Sequence, residues 1–142
     1  MIILDTNVIS EFMRLLPDPA VMAWVGQQEI PELFITTITQ AEVYYGLALL
    51  PFGKRRLELA RAVHQVFEQD FQQRILSFDS AAAMEYGTLA ASRRQSGKPV
   101  SQADTQIAAI AQAQNAVLAT RNIADFRDFG LALVNPWQLE NS

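Results

Sequence analysis

Four acids and one amide are the residues of this sequence best suited to act together: Asp5, Glu42, Asp104, Asp125 and Asn122. Each is tied to an apolar run or to a helix start. Asp5 directly follows Ile2-Ile3-Leu4. Asn122 follows Ala116-Val117-Leu118-Ala119 through Thr120 and Arg121, with Asp125 three residues further on. Glu42 lies one to two helical turns beyond Leu33-Phe34-Ile35, and Asp104 falls in the first turn of a helical segment. Open parallel sheets bind ligands beyond the carboxyl ends of their strands, so these groups are expected to converge on one sheet edge. Carboxylates a few ångströms apart repel, so either one is held neutral or a cation sits between them. Oxygen donors without histidine or cysteine favour magnesium or manganese over zinc. Such an ion activates a water and neutralises charge on a phosphate, which makes phosphodiester hydrolysis the natural chemistry.

Taken one at a time, these residues also have simpler roles. Asp104 and Asp79 are suited to capping helices, Glu42 to a solvated helix face, Asn122 to a turn and Asp125 to the surface. Asp5 is the hardest to explain so, because an acid straight after an apolar strand stands where ligands bind.

The elements that must position these groups can be read from the same pattern. Ile2–Leu4, Leu33–Ile35 and Ala116–Ala119 are short, continuously apolar runs of the kind that form buried parallel strands. Ile75-Leu76 is a weaker candidate, and Leu131–Val134 is expected at an edge. Helical patterns alternate with them, which predicts an α/β sheet. Thr37 or Thr39 is placed to cap a helix through Ala41, Tyr44, Tyr45 and Ala48 that ends before Pro51. Ala60, Val63, Phe67 and Phe71 make one apolar face of a helix starting near Lys54. A third helix, capped by Asp79 or Ser80, is expected to pack through Ala83, Gly87, Ala90 and Ala91. Ser101 reads as the N-cap of a fourth, with Asp104 at its third position. Trp24, Tyr44 and Tyr45 are candidates to stack on bases, but their helical spacing places them more readily in the core, and His64 is read as structural.

Length and composition agree with one domain over residues 1–142. Half of the residues are apolar and 18% are charged, as in an ordinary folded protein. The absence of cysteine excludes disulfides, thiolate zinc sites and cysteine nucleophiles. An acid at position 5 argues against a signal peptide, and no apolar run approaches the roughly 20 residues of a membrane helix, so a cytoplasmic protein is expected. The formal charge of −4 speaks against nucleic acid. Two bound divalent cations would cancel that charge.

Together these residues resemble the VapC-type PIN-domain ribonucleases, the toxins of type II toxin–antitoxin pairs, and within them the FitB-like branch. Leu4-Asp5-Thr6-Asn7-Val8-Ile9-Ser10-Glu11 resembles the opening motif and Ile38-Thr39-Gln40-Ala41-Glu42 the second. Asp104-Thr105-Gln106-Ile107-Ala108-Ala109 resembles the third, and Ala119-Thr120-Arg121-Asn122-Ile123-Ala124-Asp125-Phe126 the fourth. Asn135-Pro136-Trp137 matches a familiar ending. The resemblance implies a three-layer α/β/α sandwich with a mostly parallel central sheet, and Mg2+ or Mn2+ in an acidic pocket. It implies Asp5, Glu42 and Asp104 as core acids, with Asn122 where many relatives carry an acid and Asp125 as a further ligand. Thr6 and Thr120 would orient a water. It further implies an RNA substrate, a homodimer, a cognate antitoxin that occludes the site, and operator DNA bound only through the antitoxin complex.

Phosphate-holding candidates are Arg93, Arg94 and Lys98, Lys54, Arg55 and Arg56, and Arg121. Leu47, Leu50 and Phe52 are candidates for a partner interface or for the core. A serine hydrolase is disfavoured because no GxSxG turn accompanies His64. An aspartate-nucleophile phosphohydrolase is disfavoured because Asn7 stands where a second acid is wanted. A non-catalytic PIN-fold binding protein acting through an antitoxin and DNA is the alternative, kept open by the neutral Asn122.

Overall fold

The structure is a computed structural model, described over residues 1–139. The last three residues of the expected domain, 140–142, lie outside the described part. Five short strands, β1 (Ile2–Leu4), β2 (Leu33–Thr36), β3 (Ile75–Leu76), β4 (Val117–Ala119) and β5 (Leu133–Val134), form one sheet in the order β3-β2-β1-β4-β5. Every pairing is parallel, with Ile2 opposite Leu33 and Val117, and Leu4 opposite Ala119. All five expected strands are present. The chain winds outward from β1 through β2 to β3, then returns past β1 to β4. The strand order therefore reverses between β1 and β4, the point where an open α/β sheet leaves a crevice at its carboxyl edge.

Among the described residues, seven α-helices cover the two faces: α1 (Thr6–Phe12), α2 (Pro19–Gly26), α3 (Thr37–Leu49), α4 (Lys54–His64), α5 (Ser80–Gln95), α6 (Gln102–Gln114) and α7 (Ile123–Phe126). Successive strand residues point to opposite sides, which makes two cores. Leu4 joins Val8, Ile9, Trp24, Ile35, Val63 and Phe67 on one face. Ile3 joins Ile107, Ile110, Leu118 and Phe126 on the other. The result is a three-layer α/β/α sandwich, as expected. No described helix is long and apolar enough to cross a membrane.

Several helix ends follow the sequence reading. Ser101 caps α6 through its hydroxyl, which accepts the Asp104 amide at 3.2 Å, and Asp79 caps α5 by accepting from Ala82 at 3.0 Å. The cap of α3 is Thr36, not Thr37 or Thr39; its hydroxyl accepts the Thr39 amide at 3.1 Å. Beyond His64 the helix continues as a π-helical segment, Gln65–Asp70, which keeps Val63, Val66, Phe67 and Phe71 on the buried side.

Two packing expectations are corrected. Ala83, Gly87 and Ala91 face solvent and Ala90 is only half-buried. Helix α5 instead packs through Ala82 and Leu89, with Tyr86 edge-on to Phe78; Leu89 and Tyr86 cover more apolar area than the Gly87 and Ala91 side of the helix could. Trp24 is buried as expected. Tyr44 and Tyr45 are 44% and 61% exposed, and Tyr44 touches the core only by its edge on Phe67.

Candidate active site

Asp5 leaves β1 at the switch point and caps α1. Its Oδ1 accepts the Thr6 amide at 2.8 Å, and its Oδ2 accepts the Thr120 hydroxyl at 2.7 Å. Thr120 is fully buried just beyond β4, so the first residue of α1 and the residue after β4 fix both oxygens of this carboxylate. Burial is the largest influence on Asp5 and raises its pKa from 3.8 to about 6. The hydrogen bonds from Thr120 and Thr6 oppose that rise, and the negative charges of Asp104 and Glu42 add to it.

Glu42 and Thr39 are three residues apart on α3, hence on one helix face. The Thr6 hydroxyl donates to Glu42 Oε1 at 2.7 Å, leaving its oxygen to accept from the Thr39 hydroxyl at 2.9 Å. Asp104 is half-buried in the first turn of α6. Burial raises its pKa, Ser101 opposes this, and Glu42 and Asp125 push it up further. Asp5, Glu42 and Asp104 thus lie within electrostatic reach of one another, and Asp125 within reach of Asp104.

Asn122 and Asp125 are exposed on the rim. The Asn122 amide donates to the Thr120 hydroxyl oxygen at 3.0 Å, and the Asn122 side chain makes no capping bond to α7. The expected role of Thr6 and Thr120 changes accordingly. Both hydroxyls are spent on carboxylates, so they position acids and do not point a free hydroxyl at a water. Asn7 and Thr39 are residues to which the sequence reading gave no part in the site. Asn7 Nδ2 donates to Thr120 at 3.4 Å, and its Oδ1 accepts the Arg121 amide at 3.4 Å. Position three residues before Glu42 was the available signal for Thr39.

Among the described residues, no three acids close into a ready-made metal cage. The donor set still suits a hard cation, since it is all oxygen and includes a buried carboxylate whose ionisation its neighbours oppose. Magnesium takes one or two carboxylates and keeps several waters, so an open arrangement of this kind is compatible with it.

The basic candidates divide. Arg93 is buried and donates to Asp128 at 2.8 Å, which removes it from any phosphate-holding role. Arg56 is committed to the Leu50 carbonyl and the Phe52 ring. Arg94, Lys98, Lys54, Arg55 and Arg121 are exposed. Leu47 and Leu50 are half-buried, whereas Phe52 is 91% exposed. His64 is exposed at the end of α4, so it has no part in either core.

The PIN domain profile matches residues 2–130. A VapC ribonuclease of Sinorhizobium fredii is 42% identical over 97% of this chain and 99% of its own length. The toxin FitB of Neisseria gonorrhoeae is 37% identical over 96% and 99%. A FitAB complex bound to a DNA fragment superposes with a TM-score of 0.92 at 38% identity, covering 99% of both chains. The VapBC2 complex of Rickettsia felis, bound to promoter DNA, has a TM-score of 0.79 at 26% identity over 95% and 98%. A reversed strand order with acids at its crevice, and a profile running through nearly the whole fold, lead to one conclusion: the chain belongs to the PIN-domain family.

Proposed function

We propose that this chain is an endoribonuclease that hydrolyses RNA phosphodiester bonds with a divalent metal ion, and that it is the toxin of a toxin–antitoxin pair. The observation that carries this reading is the buried Asp5 carboxylate at the β1/β4 crevice, held by Thr120 and the Thr6 amide, with Glu42 bonded to the same Thr6 and the charge of Asp104 acting on it. Asp5, Asp104 and Glu42 would hold Mg2+ or Mn2+, with Asn122 and Asp125 as further oxygen donors, and the ion would supply charge neutralisation at the phosphate and activation of a water. The remaining work belongs to the chain. Thr120 and the Thr6 amide keep the Asp5 carboxylate from rotating. The Thr39–Thr6 hydroxyl pair holds Glu42, and Ser101 fixes the turn that carries Asp104. Asn122 contributes an oxygen without a charge, which lessens repulsion of an incoming phosphate.

Relatives solved as FitAB and VapBC complexes support a cognate antitoxin as partner, with operator DNA bound through the complex. Tyr45 and Leu49, one turn apart on α3, Phe52 in the connection and Leu57 on α4 are exposed apolar side chains available to a protein partner. We further read the chain as one domain acting in the cytoplasm, as a homodimer.

Total cellular RNA incubated with antitoxin-free protein, in magnesium, manganese or chelator, tests the reading. Metal-dependent cleavage is expected, and Asp104→Asn should reduce it by orders of magnitude while circular dichroism stays native. Full activity in Asp104→Asn rejects the assignment, and no cleavage by folded protein with any metal favours the binding-only alternative.

A further inference from the structure

Asn122 and Asp125, at the rim of the site, open into a cleft of about 1180 Å³ that is lined on one side by the end of α2 and on the other by residues following β4 and by β5 and the residues after it. Pockets for drug-sized ligands span roughly 300–1,000 Å³, so this one has room for more than a single nucleotide. Its lining is unusual for an acidic protein. Gln27, Gln28, Asn135 and Gln138 bring amides, and Arg121 and Arg127 bring positive charge. Neither arginine has a carboxylate partner among the described residues.

Arg121 is also held in place. Its amide donates to Asn7 Oδ1, and its guanidinium lies over the Trp137 ring at 5.2 Å from the centroid. Trp137 is itself set by Asn135, whose Oδ1 accepts the Trp137 amide at 2.9 Å, and it packs against the core. The Asn135-Pro136-Trp137 ending is thus a support for one exposed arginine. That arginine immediately precedes Asn122, and Asn122 and Asp125 line the same cleft. A cation preorganised on an aromatic ring, with amides nearby, suits a phosphate and unpaired base edges.

We propose that this cleft is the subsite that seats the single-stranded RNA segment flanking the scissile phosphate, with Arg121 and Arg127 receiving its phosphates. The inference rests on the ribonuclease reading, and its test separates the two. A fluorescent single-stranded RNA of about twelve randomised nucleotides is titrated in chelator, where binding is read without cleavage. Arg121→Ala/Arg127→Ala should weaken binding about tenfold and lower the salt slope by about 1 to 1.5. Arg61→Glu changes the net charge by the same two units on α4, outside the cleft, and should change binding less than about twofold. Gln27→Lys, adding a cation at the cleft wall, should tighten it. Equal losses in the double variant and in Arg61→Glu, or no effect of Gln27→Lys, would overturn the subsite. So would full RNA cleavage by Arg121→Ala/Arg127→Ala, and that result would leave the nuclease assignment standing. An inactive wild type that binds RNA through the cleft would instead reject the nuclease and leave the cleft as a single-stranded RNA site without a scissile phosphate beside it.

Discussion

Asp5 carries a cost that its surroundings only partly offset. Folding moves this carboxyl from a pKa of 3.8 to about 6, mainly through burial. Between those values the folded state binds a proton that the unfolded state has released, so stability falls as pH rises through the window. Above pH 6 the penalty is constant at roughly 3 kcal/mol. Asp5→Asn removes the charge and keeps an oxygen for the Thr6 amide. In chelator at neutral pH the variant should therefore unfold roughly 5–10 °C higher than wild type, even though RNA cleavage is lost. The difference should vanish below about pH 4, where both side chains are neutral. Thermal melts across pH 3 to 8 decide the matter, and equal melting temperatures at neutral pH would show that burial does not strain this site. Glu11 behaves in the opposite sense. It is buried at the end of α1, yet bonds from the Asp18 amide and Arg14 outweigh desolvation and lower its pKa. Its contribution is present above its ordinary value of 4.5 and fades as pH falls through the depressed folded value. Glu11→Gln should cost roughly 2 kcal/mol at pH 7. Denaturant melts should show that cost shrinking on acidification, and a pH-independent loss would assign it to packing.

At the scale of elements, the site depends on what ends each strand and starts each helix. The three central strands were legible because their apolar runs, bounded by polar residues, are too short for buried helices, whereas Ile75-Leu76 gave a weaker signal. Asp104 was legible because Ser101 stands three residues before it, as a cap requires. The cap of α3 was less so, since Thr36, Thr37 and Thr39 have equal chemistry and only backbone conformation selects among them. The face of α5 was misread because small residues and larger apolar ones repeat at similar intervals along it. The partners of Thr6, Thr120 and Arg93 could not be read at all. Arg93 meets Asp128 across 35 positions, and the hydroxyl of Thr120 meets Asp5 across 115. Sequence spacing carries no record of such contacts, so it identified the acids of the site but not what holds them.

Across the whole molecule, an acidic protein places its acids against one another where the sheet reverses order, and this has a thermodynamic consequence. Mutual repulsion among Asp5, Glu42 and Asp104 persists as long as nothing neutralises it. A cation bound only by the folded state adds stability that grows with its concentration, about 2.7 kcal/mol at a hundredfold excess over its dissociation constant. For a chain of this size that corresponds to a rise of roughly 5–10 °C in melting temperature. Manganese or magnesium titrated into metal-free wild type should produce this rise, whereas sodium at matched ionic strength should not. Asp5→Asn and Asp104→Asn should begin at equal or higher melting temperatures and respond little to either metal. This experiment needs no RNA, so it tests the metal site apart from the substrate. An equal metal response in both variants would place the cation elsewhere on the surface, and no response in wild type would leave the acids without the ion that their arrangement calls for.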